Sequence, residues 1–229
     1  MTDAAIDLSG PTDRALTTTR SVRRHLDLER PVDPHTVAEC LRVATCAPNG
    51  GNLQAWRFIV VTDPDVRAGL AAVYRRAFAV YRDGVLAGIR PGRPDETARQ
   101  RTLASAEHLA AVLDRVPVHV VPCQILTPVH PDDAPAHYRD ASAAASVYPA
   151  VWSLQVALRT RGLASVLTTL HLRHEDEAAA ILGIPRRVRQ YGLVAVAHRS
   201  GPEAGPPPRR PLADVVFLDR WGARWEAAC

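Results

Sequence analysis

At 229 residues, 47% apolar and 23% charged, the chain has the balance of a globular protein and enough length to bury a sizeable core without disulfides or metals. All 28 basic residues are arginine, and against 24 acidic ones they leave a formal charge of +4, mild enough to suit an anionic cofactor. The arginines are scattered and aromatic residues make up 5%, which leaves out the clustered basic face and stacking platforms of a nucleic-acid binder.

The opening stretch MTDAAIDLSGPTDRAL carries acids and a proline where a secretory leader would carry a basic start and an apolar run. No later stretch approaches the ~20 uninterrupted apolar residues of a membrane span. A soluble, cytoplasmic protein without membrane contact is expected. After this frayed start, Asp33-Pro34 predicts a helix, with Asp33 as N-cap and Val37, Leu41 and Ala44 at helical spacing up to about Cys46-Ala47-Pro48. Cys40 and Cys46 fall on that helix as small core residues. With Cys123 and Cys229 they show no CxxC spacing, which argues against a structural zinc site or a disulfide framework.

Residues 49–55 form a polar, glycine-rich loop before a buried strand at 56–61, and Asp63-Pro64 opens another helix. The pattern is helical over 65–115, with a break at 89–94 that predicts a loop over some site. A second strand is expected at 117–126, a long helix at 140–161 with Val147, Val151, Leu154 and Leu158 on its inner face, and a third strand at 163–169. A short helix at 175–182, closed by Gly183, precedes a fourth strand at 191–198 and a Gly-, Pro- and Arg-rich loop at 199–210. Val215-Val216-Phe217-Leu218 reads as a further strand, and Trp221 and Trp225 follow with no element to cover them, so the tail docks on a partner subunit or back on its own chain. Strands alternating with helices, without repeat or linker, predict one α/β (α+β) domain over residues 1–229, with a central mixed sheet flanked by helices.

Two segments carry candidate chemistry. Arg20 and Arg23, with Ser21 between them, can grip an oxyanion through planar guanidinium forks and a hydroxyl, although two arginines on a helix also describe a solvated face. In the segment 48–56, PNGGNLQAW, adjacent glycines admit close backbone approach to a flat ligand, while the carboxamides of Asn52 and Gln54 can pair with a uracil-like ring edge or simply satisfy turn backbone. His171 and His174 with Glu175 lack a further ligand at metal-site spacing. The sequence holds no GxSxG, GxGxxG or GKS/GKT motif. Tyr74, Phe78, Tyr81 and Tyr138 are candidates for stacking on a substrate or for the core.

The order of these segments resembles the FMN-dependent nitroreductase family, whose members open with a motif like RRSxR and continue with APSxxNxQPW before the first strand. Here the segments read TRSVR at 19–23 and APNGGNLQAW at 47–56. Leu167-Thr168-Thr169 resembles the family segment beside flavin N5, and LGIP at 182–185, the closing strand and RRPL at 209–212 follow in the family's order. The TTTRSVR and TTLHL stretches look like an actinobacterial branch. Thr19 stands in place of a frequent first arginine, Asn49 in place of serine, and Ala55 in place of proline.

That resemblance implies a nitroreductase-like fold working as a homodimer, with FMN at the subunit interface and a C-terminal tail extending onto the partner. It implies that Arg20, Ser21 and Arg23 contact FMN phosphate and ring, that Asn49 and Gly50 line it, and that Asn52 and Gln54 address its polar edge. Leu167, Thr168 and Thr169 would lie beside N5, and Arg209 would reach the phosphate. The implied reaction passes hydride from NADH or NADPH through N5 to a nitroaromatic, quinone or similar small acceptor by a ping-pong mechanism. An FMN-dependent oxidase or dehydrogenase of a specialised metabolite, or a flavin-holding protein with little turnover, are the alternatives.

Overall fold

A computed structural model describes residues 10–88, 96–126 and 135–226. The break expected at 89–94, and Cys229, lie outside the described residues. The chain divides into two compact units, Met1–Thr19 with Glu203–Cys229, and Arg20–Pro202.

In the first unit, α1 (Pro11–Thr18) begins with proline at a position whose N–H has no helical partner anyway. This helix was not anticipated by the frayed start. It stops at Thr19, whose backbone N–H and hydroxyl both donate to the Ala15 carbonyl, at 3.1 and 2.6 Å. Arg14 pairs with Glu203 at 3.5 Å. The strand expected at 215–218 does not form. A 3-10 turn at Leu212–Asp214 is followed by a single antiparallel bridge between Phe217 and Arg224. The chain reverses at once through Asp219 and Gly222, both at positive φ, and Phe217 packs on Trp221 with ring centroids 5.1 Å apart. Trp221 is nevertheless 93% exposed.

The second unit holds β1 (Leu26–Asp27), α2 (Pro34–Thr45), β2 (Trp56–Val61), α3 (Pro64–Leu86), α4 (Glu96–Val112), β3 (Val118–Ile125), α5 (Ala136–Thr160), β4 (Leu163–Thr168), α6 (Glu175–Leu182), β5 (Val188–Gln190) and β6 (Leu193–Arg199). The helix starts at α2 and α3 follow from their aspartates: Asp33 accepts from the N–H groups of His35 and Thr36, and Asp63 from those of Asp65 and Val66. Among the described residues no helix is long and apolar enough to cross a membrane.

Every strand pair is antiparallel, which corrects the mixed sheet expected from the alternation of strands and helices. The helical crossover through α5 does bring β4 back in the direction of β3. The last strand, β6, then inserts between them and runs against both, pairing Val120 with Val194 on one side and Leu167 with Val194 on the other. The hairpin-like return through α3 and α4 likewise sets β2 antiparallel to β3. β5 and β6 continue one ladder along β3, interrupted at Tyr191-Gly192, and β1 adds two residues beside His198 and Arg199.

The sheet is buried on both faces because its strands alternate between two cores. Val118, Val120, Val194 and Val196 face α2 and α5, where Val147, Val151, Leu154 and Leu158 are buried as expected. Val121, Cys123, Leu193, Ala195 and Ala197 face α3, α4 and α6. Tyr74 and Phe78 belong to this second core, Tyr81 packs against it, and Tyr138 is exposed. Cys40 is buried but Cys46 is exposed, because Cys46 caps α2 where the chain turns outward. Pro149 lies inside α5 and removes one helical N–H one turn beyond Ser146.

Two histidines are sealed in this unit. His119 has no exposed surface, and its Nε2 lies 2.9 Å from the Leu113 carbonyl, which fixes Nε2 as the protonated nitrogen. His171, in the 3-10 segment Leu170–His174, is equally buried, with Gln190 as a polar neighbour whose contact falls short of hydrogen-bond geometry. Burial lowers each from 6.5 to about 4. The unfolded chain therefore binds more protons between those values, so this stability is complete above pH 6.5 and disappears as the pH falls towards 4. Urea titrations across that window are expected to lose ~3 kcal/mol for each histidine, and His119→Gln to remove one of the two contributions.

Candidate functional site

The segment 20–23 lies outside any helix, which removes the solvated-helix reading of its two arginines. Val22 is the anchor. Its side chain is buried in the core against α3, and its N–H donates to the Ser165 carbonyl of β4 at 3.0 Å. Pinning Val22 leaves Ser21 exposed and holds Arg20 and Arg23 half-buried. Among the described residues no carboxylate forms an ion pair with Arg23. Its charge instead acts on Tyr74, a buried residue of α3 that has the Thr168 side chain as a polar neighbour. Burial raises the Tyr74 phenol above its ordinary value, and the polar Thr168 side chain and the Arg23 charge oppose that shift. Tyr74 thus has both Arg23 and the end of β4 in its polar surroundings, a proximity the sequence left hidden among several aromatic candidates.

At that end, Leu167 and Thr168 are half-buried and Thr169 is exposed. β4 stops at Thr168, one residue earlier than expected, and Thr169 turns the chain into the 3-10 segment. Gly192 makes this close approach possible. A Cβ there would lie 2.6 Å from Leu167 Cδ1 and 3.1 Å from the Thr168 carbonyl oxygen, and its φ of +153 is one that side chains rarely adopt.

The loop 49–54 is built differently. Asn49 Oδ1 accepts from the Gln54 N–H at 2.9 Å, so this side chain satisfies turn backbone. The Gly50 N–H donates to Ser146 Oγ of α5 at 3.2 Å, and a Cβ on Gly50 would meet that same oxygen at 3.3 Å. Gly51, Asn52 and Gln54 all have positive φ, and the last two each store about 1 kcal/mol or more of strain. This twist turns both carboxamides to solvent, where Gln54 Nε2 donates to Asn52 Oδ1 at 3.3 Å. Ser146 is a supporting residue that sequence reasoning missed, since nothing local distinguishes it from the other small residues of α5.

The loop enters β2 and the Leu167-Thr168-Thr169 segment leaves β4, so both lie at one end of the sheet. They are three strand positions apart, roughly 14 Å at ~4.8 Å per step. Within this unit Arg23 and Thr168 both neighbour Tyr74, and Asn49, Gly50, Asn52 and Gln54 form a separate cluster. Arg209 belongs to the other unit, where it is exposed and donates to the Pro208 carbonyl at 3.3 Å. Among the described residues no group of three His, Cys, Asp or Glu side chains could hold a metal ion.

Comparison with known proteins gives the same family. The nitroreductase family model matches residues 16–198, a span that contains all three segments of the second unit and leaves out Arg209. Among solved structures, an iodotyrosine deiodinase bound to FMN and 3-iodo-L-tyrosine is 21% identical, with a TM-score of 0.67 over 90% of this chain and 97% of its own. A BluB-like flavoprotein from Clostridium difficile is 16% identical, with a TM-score of 0.67 over 93% and 100%. A nitroreductase-like family protein from Bacillus cereus is 17% identical, with a TM-score of 0.62 over 93% and 98%. At these identities the likeness is one of fold.

Replacing Gly192 with alanine forces a Cβ against Leu167 and the Thr168 carbonyl in an unfavourable backbone region. Thermal unfolding of Gly192→Ala is expected to show a loss of roughly 1–3 kcal/mol, because backbone on one side cannot yield.

Proposed function

The chain belongs to the nitroreductase family, and on that premise we propose that it is an FMN-dependent oxidoreductase working as a homodimer. Bound FMN supplies hydride acceptance and release at N5, here from NADH or NADPH to a nitroaromatic, quinone or similar small acceptor by a ping-pong sequence.

The observation that carries the proposal is the half-buried Arg23, without a carboxylate partner among the described residues, held next to β4 by the bond of Val22 to Ser165 and acting on the buried Tyr74. A cation held near a hydroxyl in a partly dry place suits an anionic group, and arginine keeps its charge at any working pH. In this reading Arg20, Ser21 and Arg23 hold the flavin phosphate and the N1–C2=O2 edge. Thr168 and its neighbours Leu167 and Thr169 flank N5. Asn49 keeps the loop in shape and Gly50 lets it approach, while the solvent-facing carboxamides of Asn52 and Gln54 address the ring edge.

Two features support a second copy of the chain. The loop 49–54 and the β4 end are too far apart in one unit to meet the same atoms, and pairing two copies could supply one cluster from each. The surface also carries apolar residues that association would cover: Leu53 is 70% exposed and Trp221 93%. Gathering backbone and charge around a flat ligand between two subunits would also exclude water from it.

The protein is expected to purify yellow, or to turn yellow on addition of FMN, and to be bleached by NADH or NADPH without oxygen. A protein that no added FMN colours would refute the reading. Reduction by neither nicotinamide but by some metabolite would favour the oxidase or dehydrogenase alternative. Arg23→Ala is expected to weaken FMN binding at least tenfold, as loss of a charge-assisted contact, with little change in unfolding midpoint of the ligand-free protein.

A further inference from the structure

We infer that Arg57 determines specificity by presenting an oxyanion-binding fork beside the 49–54 loop: the free Nε and Nη2 edge of its guanidinium recognises an oxyanion of the substrate, either a carboxylate on the electron acceptor or the diphosphate of the nicotinamide donor. The inference rests on the oxidoreductase reading above for what the oxyanion belongs to, and adds a charged group to that substrate class.

Arg57 follows Trp56 in β2, and the pleat sets the two side chains on opposite faces. Trp56 is buried against the α5 core, whereas Arg57 is exposed. Arg57 Nη1 donates to the Gln54 carbonyl at 3.1 Å and to the Trp56 carbonyl at 2.7 Å. Gln54 sits at φ +48, a strained turn that this charge-assisted bond helps to hold.

A guanidinium has five N–H donors, two of them on Nη1. Both carbonyls lie at Nη1, so the edge made by Nε–H and Nη2–H is left over. Among the described residues no carboxylate forms an ion pair with Arg57. That edge is the one that meets two oxygens of a carboxylate or phosphate at once. An ordinary exposed arginine loses rotamer freedom when it grips an anion, but here two carbonyls already fix the group and a ligand meets an ordered fork. Bracing the loop occupies Nη1 alone. The same loop carries the Asn52 and Gln54 carboxamides, so an oxyanion held by Arg57 lies beside the residues assigned above to the ring edge.

The test is calorimetric titration of the FMN-loaded protein with two pairs of probes, each differing in the oxyanion: benzoate against benzamide for an acceptor carboxylate, and ADP against adenosine for the donor diphosphate. Wild type is expected to bind at least one oxyanion about tenfold or more tightly than its neutral counterpart, and Arg57→Gln to abolish that preference while the neutral probes stay within about twofold. Arg57→Lys keeps the charge without the planar fork and is expected to restore only part of the preference. A response to benzoate alone assigns the fork to the acceptor, and to ADP alone, to the donor. No preference in wild type, a preference that Arg57→Gln leaves intact, or full restoration by lysine overturns the inference. An equal loss for charged and neutral probes also overturns it, because that is the effect of a loop without its brace. Conversion of a dimer to monomers by Arg57→Gln with the probes unaffected assigns the edge to the second copy, and overturns it too. If Arg57→Gln does not fold, the wild-type preference and Arg57→Lys decide. A protein that takes up no FMN overturns the flavin reading alone, since Arg57 and its two carbonyls belong to the chain and the same titrations decide the fork in the ligand-free protein.

Discussion

The second unit is organised around a strand that has no surface of its own. Residues 193–197 of β6 are fully buried, bounded by β3 and β4 at their edges and by helices on both faces. Each backbone N–H and C=O there must pair within the sheet, since an orphaned one would cost about 1–3 kcal/mol. The register is fixed just as firmly. A slip by one residue would exchange Val194 and Val196 with Leu193, Ala195 and Ala197 between the α5 and α3 cores, and these differ in the volumes they accept. Gly192 lies where this ladder breaks, so the position of the β4 end follows directly from the most constrained part of the molecule.

The candidate segments have little core of their own and borrow rigidity through a few backbone contacts. Val22 is tied to Ser165, Gly50 to Ser146, and Gln54 to Asn49. The left-handed residues of the 49–54 loop store strain that these bonds and the packing of β2 must outweigh. Such an arrangement places polar groups in advance, so that a ligand need not order them on binding. It also separates stability from recognition, because Arg23 and the carboxamides of Asn52 and Gln54 can be altered without touching either core.

Much of this architecture was legible in the sequence where local rules decide. Asp33-Pro34 and Asp63-Pro64 mark helix starts by side-chain capping, Gly183 marks a helix end by its left-handed backbone, and the apolar run of β6 marks a strand buried on both faces. Non-local choices were not legible. The alternation of strands and helices fixes the direction of β4 relative to β3, but nothing in it reveals that β6 will enter between them. The apolar residues 215–218 look like a strand, yet a strand needs an edge to pair with, and the chain turns back instead. Of the candidate site, the motif segments were readable as residue types. The shared proximity of Arg23 and Thr168 to Tyr74 was not, since it brings together three elements distant in sequence. Cys46 shows the same limit on a small scale: helical spacing put it inward, and the end of the helix turned it outward.

The fate of the sulfurs bears on how a protein proposed to move electrons protects itself. Burial pushes the Cys123 thiol up to about 12 and raises Cys40 as well. Both stay protonated at neutral pH, and a thiol in that form is a poor nucleophile towards quinones, peroxides and disulfides. The electrophilic products and oxygen species that flavin chemistry can generate therefore find no reactive sulfur within either core. Of the described cysteines only Cys46, at the outer end of α2, is left in contact with solvent, so oxidative or alkylating damage to sulfur is directed to a surface position whose modification leaves the packed interior unchanged.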